Sequence, residues 1–342
     1  MSPHTDQSVW TVEWHPAIVP RVTEVPTARG LVDSATLGRT LMHEHVFVLT
    51  SEVQLNHDEW DETARTGEAT AKLDELKASG IDTIVDPTVI GLGRYIPRIA
   101  AIAARTDVNI IVATGVYTYD HAPAYFRGRG PVIGREDPMI AMFVRDITEG
   151  VPGTDGIRAA FLKCAIDEGG MTPDVERIMR AVARAHRTTG APITVHTHPG
   201  NHTGLAVHEV MASEGVSPER VVLGHSGDST DLDHLKALAD LGYILGMDRF
   251  GIYAGVTIDD RVGTVAALVE QGYADRMVLS QDASCYIDWI EPDLMAFNTT
   301  WHYLHIGTDV LPALSKAGVS DAAIDQMLVG NPRRYFEDVA AY

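Results

Sequence analysis

Apolar residues recur along this chain in two alternating patterns. Short runs of β-branched and aliphatic residues read as strands at residues 39–48, 82–88, 109–117, 158–166, 192–198, 220–225, 243–247 and 276–281. Amphipathic stretches between them read as helices near 68–79, 93–105, 139–149, 172–189, 204–214, 229–241 and 258–271, with terminal helices ending near residue 336. The punctuation agrees. Gly80 and Gly190 follow helix ends, and Thr172 with Pro173 makes an N-cap and a first helical residue. Strands alternating with helices predict parallel β/α units, and eight of them predict a closed (β/α)8 TIM barrel. An open doubly wound sheet would need a glycine-rich phosphate turn after the first strand, and none is present there.

Residues 1–27 carry Pro3, Pro16, Pro20 and Pro26 and read as an irregular tail or surface strap. Residues 28–342 then form a single barrel domain, with a long loop at about 283–308 after the eighth strand. Composition narrows the function. The chain of 342 residues has 47 acidic against 27 basic residues, a formal charge of −20. Nucleic acid and anionic membrane surfaces are therefore expected to be repelled. Only Cys164 and Cys285 occur, which is no disulfide framework and fits a reducing cytoplasm. No apolar run has signal-peptide or membrane-spanning character.

Candidate chemistry begins at Leu41-Met42-His43-Glu44-His45. In a strand, His43 and His45 share one face and Glu44 takes the other. Two neutral imidazoles so placed suit one metal ion. They equally suit two hydrogen-bonded histidines beside a core, and the pair alone leaves both readings open. Barrel enzymes build their sites at the C-terminal strand ends. Lys163 lies in the fourth strand, His196 near the end of the fifth, His225 closes the sixth and Asp282 the eighth. Lys163 is out of place as an ammonium inside an apolar strand. Either it pairs with Asp167 or Glu168, or its amine reacts with carbon dioxide to give a carbamate that bridges two divalent cations.

This set resembles the amidohydrolase superfamily, and its surroundings resemble the phosphotriesterase-like lactonases of the phosphotriesterase family. The shared words include Ala113-Thr114-Gly115-Val116-Tyr117-Thr118-Tyr119, Gly224-His225-Ser226-Gly227-Asp228, Gly246-Met247-Asp248-Arg249-Phe250-Gly251 and Asn331-Pro332-Arg333-Arg334. The likeness runs from about residue 28 to 336. It implies a centre of two divalent metals, zinc or else cobalt, manganese or iron. His43, His45 and Asp282 would hold one ion, His196 and His225 the other, and N6-carboxylated Lys163 both. It implies a hydroxide between the ions that attacks an ester carbonyl, with Asp282 moving the proton. Tyr117 and Arg249 match positions beside the metals and the lactone ring. Arg249 would pair with an aspartate or line the pocket; a surface pair with Asp248 is the simpler alternative.

The implied substrates are N-acyl-homoserine lactones or related oxo-lactones, with weak organophosphate triesterase activity, and the implied assembly is a homodimer. A phosphotriesterase, carboxylesterase or amidase would use the same machinery. The short stretch 249–257 resembles the lactonases more than the dedicated organophosphate hydrolases. Tyr119, Cys285 and Trp289 are expected to line the substrate pocket. The long last loop, with Trp289, Leu294, Met295, Phe297 and Trp301, is expected to form an apolar channel. His198 reads as a rim or structural residue; His57, His121, His202, His302 and His305 read as loop or packing histidines.

Overall fold

The computed structural model describes residues 23–56, 60–253, 255–291, 294, 299–337 and 341–342. The strands in chain order are β1 Glu24–Thr27, β2 Gly30–Asp33, β3 Thr40–Leu41, β4 His45–Val48, β5 Thr83–Asp86 and β6 Asn109–Gly115. They continue with β7 Phe161–Ala165, β8 Ile193–His196, β9 Val221–Gly224, β10 Ile244–Met247, β11 Met277–Leu279 and β12 Ser284–Ile287. β3 and β5–β11 form a parallel sheet ordered β11-β10-β9-β8-β7-β6-β5-β3. Its two ends are stitched together by Met42 N donating to Leu279 O at 3.4 Å, Asp282 N to His43 O at 3.1 Å and His45 N to Ala283 O at 2.8 Å. The expected barrel is therefore the observed fold.

Side-chain alternation divides the apolar residues into two layers. Val85, Ile111, Phe161, Val222, Ile244 and Val278 pack in the barrel interior. Their neighbours Ile84, Ile110, Leu162, Leu223, Leu245 and Leu279 pack in the cluster that also holds the helix residues. Lys163 follows the register of Phe161 and so faces inward. Cys164 belongs with Leu162 in the outer layer, as its position beside Lys163 predicts.

The helices α1 Ser51–Asn56, α2 Glu62–Ala78, α3 Ile96–Ala103, α4 Ala124–Arg127 and α5 Pro138–Thr148 precede α6 Pro173–Thr189, α7 Thr203–Ser213, α8 Leu232–Asp240 and α9 Ile258–Glu270. α6 starts and stops as expected. The Thr172 hydroxyl accepts from Val175 N, and Gly190 closes the helix in the left-handed region at φ 75°. None of the described helices is long and apolar enough to cross a membrane.

Three local expectations change. The first strand is not continuous: β3 pairs with β5, β4 pairs with β12, and residues 42–44 between them leave the ladder. The His43 N–H goes to the Ser280 hydroxyl at 2.9 Å instead of a strand partner. The long loop begins with β12, whose register sets Ser284 opposite His45. Residues 24–27, expected to be irregular, form a hairpin with β2. Pro26 is tolerated there because a two-stranded hairpin leaves one edge unpaired. Val25 joins the interior cluster and Ala28 N donates to Ile110 O at 2.8 Å, which ties the hairpin to the barrel.

Candidate active site

His43, His45, Lys163, His196, His225 and Asp282 all line one cavity of about 440 Å³. His43 Nε2 and His45 Nε2 lie 3.7 and 3.4 Å from Asp282 Oδ1. Lys163 Nζ is 3.4 Å from His43 Nε2, and His225 Nε2 is 2.9 Å from His196 Nδ1. Five strand positions deliver these groups to one rim: His196 ends β8, His225 directly follows β9, Lys163 lies within β7, Asp282 follows β11 by three residues, and His43 and His45 stand at the break between β3 and β4.

Each imidazole is held by its outward nitrogen. His43 Nδ1 and His225 Nδ1 both meet Asp248, on Oδ2 and Oδ1, at 2.9 Å each. His45 Nδ1 meets Thr88 Oγ1 at 2.7 Å, and that hydroxyl lies 2.5 Å from Asp86 Oδ1. His196 Nε2 is engaged by Asp167. One nitrogen of every ring is left facing the cavity floor. Partners of this kind fix the ring orientation and tautomer of metal-binding histidines.

Burial lowers the pKa of His43, of His196 to about 4 and of His225 well below the usual value. The rings are therefore neutral at pH 7, with lone pairs available. Burial also pulls Lys163 down to about 8, against Asp282 and Asp248, which favour its charged form. Burial pushes Asp282 up, but His43, a hydrogen bond from His45, His225 and Arg249 together hold it well below the carboxylate range. Neutral imidazoles, a carboxylate and an accessible amine make a nitrogen–oxygen donor set that fits divalent ions. His43, His45 and Asp282 bring ligand atoms within 4.8 Å of one another, and so do His43, His225 and Asp248. In the second grouping both Asp248 oxygens already serve the two Nδ1 atoms, so Asp248 orients rings.

Arg249 lines the cavity. Its Nε donates to Asp282 Oδ2 at 3.1 Å and its Nη1 to Asp228 Oδ2 at 3.0 Å. The simpler surface pair with Asp248 is not what forms: Asp248 is buried beneath the histidines. Nor does Lys163 pair with Asp167 or Glu168, since Asp167 turns to His196. Tyr117 and Tyr119 line the cavity with their hydroxyls in contact, and the Tyr117 ring stands edge-on to His196 at 5.4 Å. Trp289 lines it too, 6.2 Å from Tyr117.

Cys285 does not line this cavity. Its thiol is buried 3.9 Å from Ala69 O on α2, and burial pushes it up to about 12. Strand alternation in β12 explains the difference, because Ser284 faces the cavity and Cys285 turns towards the helix. His198 is outside the cavity lining and its backbone N–H donates to Thr203 Oγ1 at 2.7 Å. His57, Met295 and Phe297 lie outside the described residues. Asp248, Thr88, Asp86 and Asp167 are ring partners that were not expected from the sequence. Asp248 carried one signal, a charged residue at the end of an apolar strand. Gly246 makes room for it: a Cβ there would meet Asp248 Oδ2 at 2.5 Å.

A model of the phosphotriesterase family matches residues 23–336. The chain is 55% identical over 324 residues to a phosphotriesterase homology protein of Mycobacterium tuberculosis, covering 93% of this chain and 99% of that one. It is 35% identical over 309 residues to an aryldialkylphosphatase of Saccharolobus solfataricus, covering 89% and 96%. The solved structure of the phosphotriesterase from Mycobacterium tuberculosis superposes with a TM-score of 0.91 at 54% identity, over 93% of this chain and all of the other. A barrel rim with inward-facing histidines, matched along nearly its whole length by these relatives, makes this chain a metal-dependent, ester-hydrolysing member of the phosphotriesterase family.

Proposed function

We propose that this enzyme opens lactones, N-acyl-homoserine lactones or related oxo-lactones, and hydrolyses organophosphate triesters weakly. The observation that carries the reading is the two-part cavity. Its floor holds the six candidate ligands, while Val48, Leu92, Ile252, Ile287, Trp289 and Ile290 give it an apolar wall. A polar reacting ring with a hydrocarbon tail suits such a site.

His43, His45 and Asp282 would hold one divalent ion, His196 and His225 the other, and carboxylated Lys163 both; zinc, cobalt, manganese or iron suit these donors. Bound there, the ions would supply a Lewis acid and a water of near-neutral pKa. The chain's own groups do the rest. Water adds to the acyl carbon and the ring C–O bond breaks, giving a hydroxy acid. Asp282 takes the proton from the attacking water and returns it to the ring oxygen as that oxygen leaves. Arg249 fixes the Asp282 carboxylate through Oδ2. Tyr117, beside His196, contacts the lactone ring. The phosphorus of a triester is already tetrahedral and so resembles the tetrahedral arrangement reached when water adds to the lactone carbonyl, which lets the same site accept it. The aryldialkylphosphatase name of one relative supports that side activity.

A panel of lactones of increasing acyl length, set against an aryl dialkyl phosphate, tests the proposal on metal-replete protein. kcat/KM is expected to be higher for a lactone than for the triester by at least tenfold. A triester preferred over every lactone would overturn it in favour of a dedicated phosphotriesterase. Asp282→Asn is expected to remove most turnover while leaving much of the metal bound.

A further inference from the structure

Glu44 stands between two candidate ligands, yet its side chain is fully buried and faces away from the cavity. Its Oε1 accepts from Ser280 Oγ at 2.6 Å and from Gln281 N at 2.8 Å; its Oε2 accepts from Ala283 N at 3.0 Å. The carboxylate therefore grips both residues that flank Asp282. Asp282 itself lies at φ 53°, the left-handed region that a residue with a Cβ rarely adopts. Such backbone persists only where its surroundings over-determine it. The Asp282 N–H donates to His43 O at 3.1 Å, and its carbonyl accepts from Trp301 Nε1 at 2.8 Å.

The same device appears once more in the centre. His225 is also left-handed, at φ 68°. A buried carboxylate again takes the backbone: Asp248 Oδ1 accepts from His225 N at 2.7 Å. Among the described residues, the remaining non-glycine at positive φ is His202, which is not in the cavity.

We propose that Glu44 is a positioning residue that holds Asp282 in its left-handed conformation by accepting the Gln281 and Ala283 N–H groups. One dipeptide unit, His43-Glu44, thereby sets the first-strand ligands in register with the eighth-strand ligand. The inference rests on the assignment of Asp282 as a metal ligand. Two acceptor oxygens are needed because two backbone donors meet two different ones. A glutamine offers one carbonyl oxygen and turns its NH2 donor against the other N–H, leaving that group buried without an acceptor.

The test is calorimetric metal titration of stripped wild type, Glu44→Gln, Glu44→Asp and His43→Asn, with thermal melts and kinetics on the loaded proteins. In E44Q, one of two metal equivalents is expected to weaken by about 10–100-fold, the range found for residues that orient ligands. kcat should fall in proportion while KM stays within about twofold. E44D, which keeps both oxygens, should recover part of both effects. E44Q with both equivalents at wild-type affinity overturns the proposal. So does a lowered melting temperature with unchanged metal affinity and kcat, which is what a purely structural role gives. If His43→Asn also binds both equivalents as wild type does, the metal centre itself is wrong, and that failure is distinct from a failure of Glu44. Should E44Q not fold, amide exchange in the wild type decides. Gln281 and Ala283 are expected to be strongly protected with and without metal, and rapid exchange at both overturns the proposal.

Discussion

The Nε of Arg249 donates to Asp282 Oδ2 while its Nη1 reaches Asp228 Oδ2. Asp228 is held in turn by Arg261 Nη1, at 2.5 Å from its Oδ1. Burial would lower the Arg249 pKa, but Asp282 and Asp228 keep its guanidinium firmly protonated. Arg249 therefore cannot carry a proton onward from Asp282. It is a fixed two-pronged clamp, a geometry that lysine does not reproduce. Arg249→Met and Arg249→Lys should each lower kcat by about 10–100-fold, the equivalent of one hydrogen bond to a charged group. Adding Asp228→Asn to Arg249→Met should cost little more, because the two residues act as one unit. A fully active R249K enzyme would contradict the clamp.

Asp248 carries two rings and Thr88 carries one. Asp248→Asn keeps the volume but offers one acceptor oxygen for two imidazole N–H groups. It should weaken metal binding at the whole centre, by about 10–100-fold. Thr88→Ala frees only His45 and should weaken a single equivalent. Metal content after dialysis against graded chelator separates the two. Equal losses in both variants would show that Asp248 does not serve both rings.

The barrel, the order of its strands and the six candidate ligands were legible in the chain because each rests on a local signal. Strand residues are continuously apolar when both faces are buried, and a histidine or aspartate ending such a run stands out. What the sequence hid is relational. Nothing near Glu44 says that its partners lie in 280–283. Nothing in Asp248 says that it serves His43, which is 205 residues away in the chain and two strands round the closed barrel. The break between β3 and β4 was also hidden, because residues 42–44 look as strand-like as their neighbours. It comes from the Ser280 hydroxyl and the β4–β12 pairing, both distant in sequence. Cys285 turns away from the cavity for a reason of the same kind: β12 and its alternation are set by pairing with β4, which is distant in sequence.

The lowered pKa of Lys163 sets a pH signature for the proposed carboxylation. Only the neutral amine attacks carbon dioxide. With the folded-state value at about 8, the amine is mostly protonated below that pH and mostly neutral above it. Reactivation of stripped enzyme by metal plus bicarbonate should therefore speed up as pH rises through about 8. At fixed dissolved carbon dioxide, the rate should level off above pH 9 instead of climbing towards the ordinary lysine value near 10.4. Labelled bicarbonate should give a single protein-bound carbamate resonance that Lys163→Ala lacks. A reactivation rate indifferent to bicarbonate would remove the carbamate from the mechanism.

Trp289 offers a test of the apolar wall that leaves the cavity floor untouched. It is nearly half exposed, sits 6.2 Å from the Tyr117 ring and makes no hydrogen bond in the ligand set. An acyl chain lying against it would cover its exposed face, a contact of roughly 1–2 kcal/mol given about 1.5–3 kcal/mol for complete burial of a large side chain. Trp289→Ala should then lower kcat/KM for long-chain lactones by about tenfold, through KM. Short-chain lactones, which do not reach the indole, should change by less than about twofold, so the gain in kcat/KM with chain length flattens. A uniform loss across all chain lengths would place the hydrocarbon elsewhere and assign Trp289 to holding the loop instead.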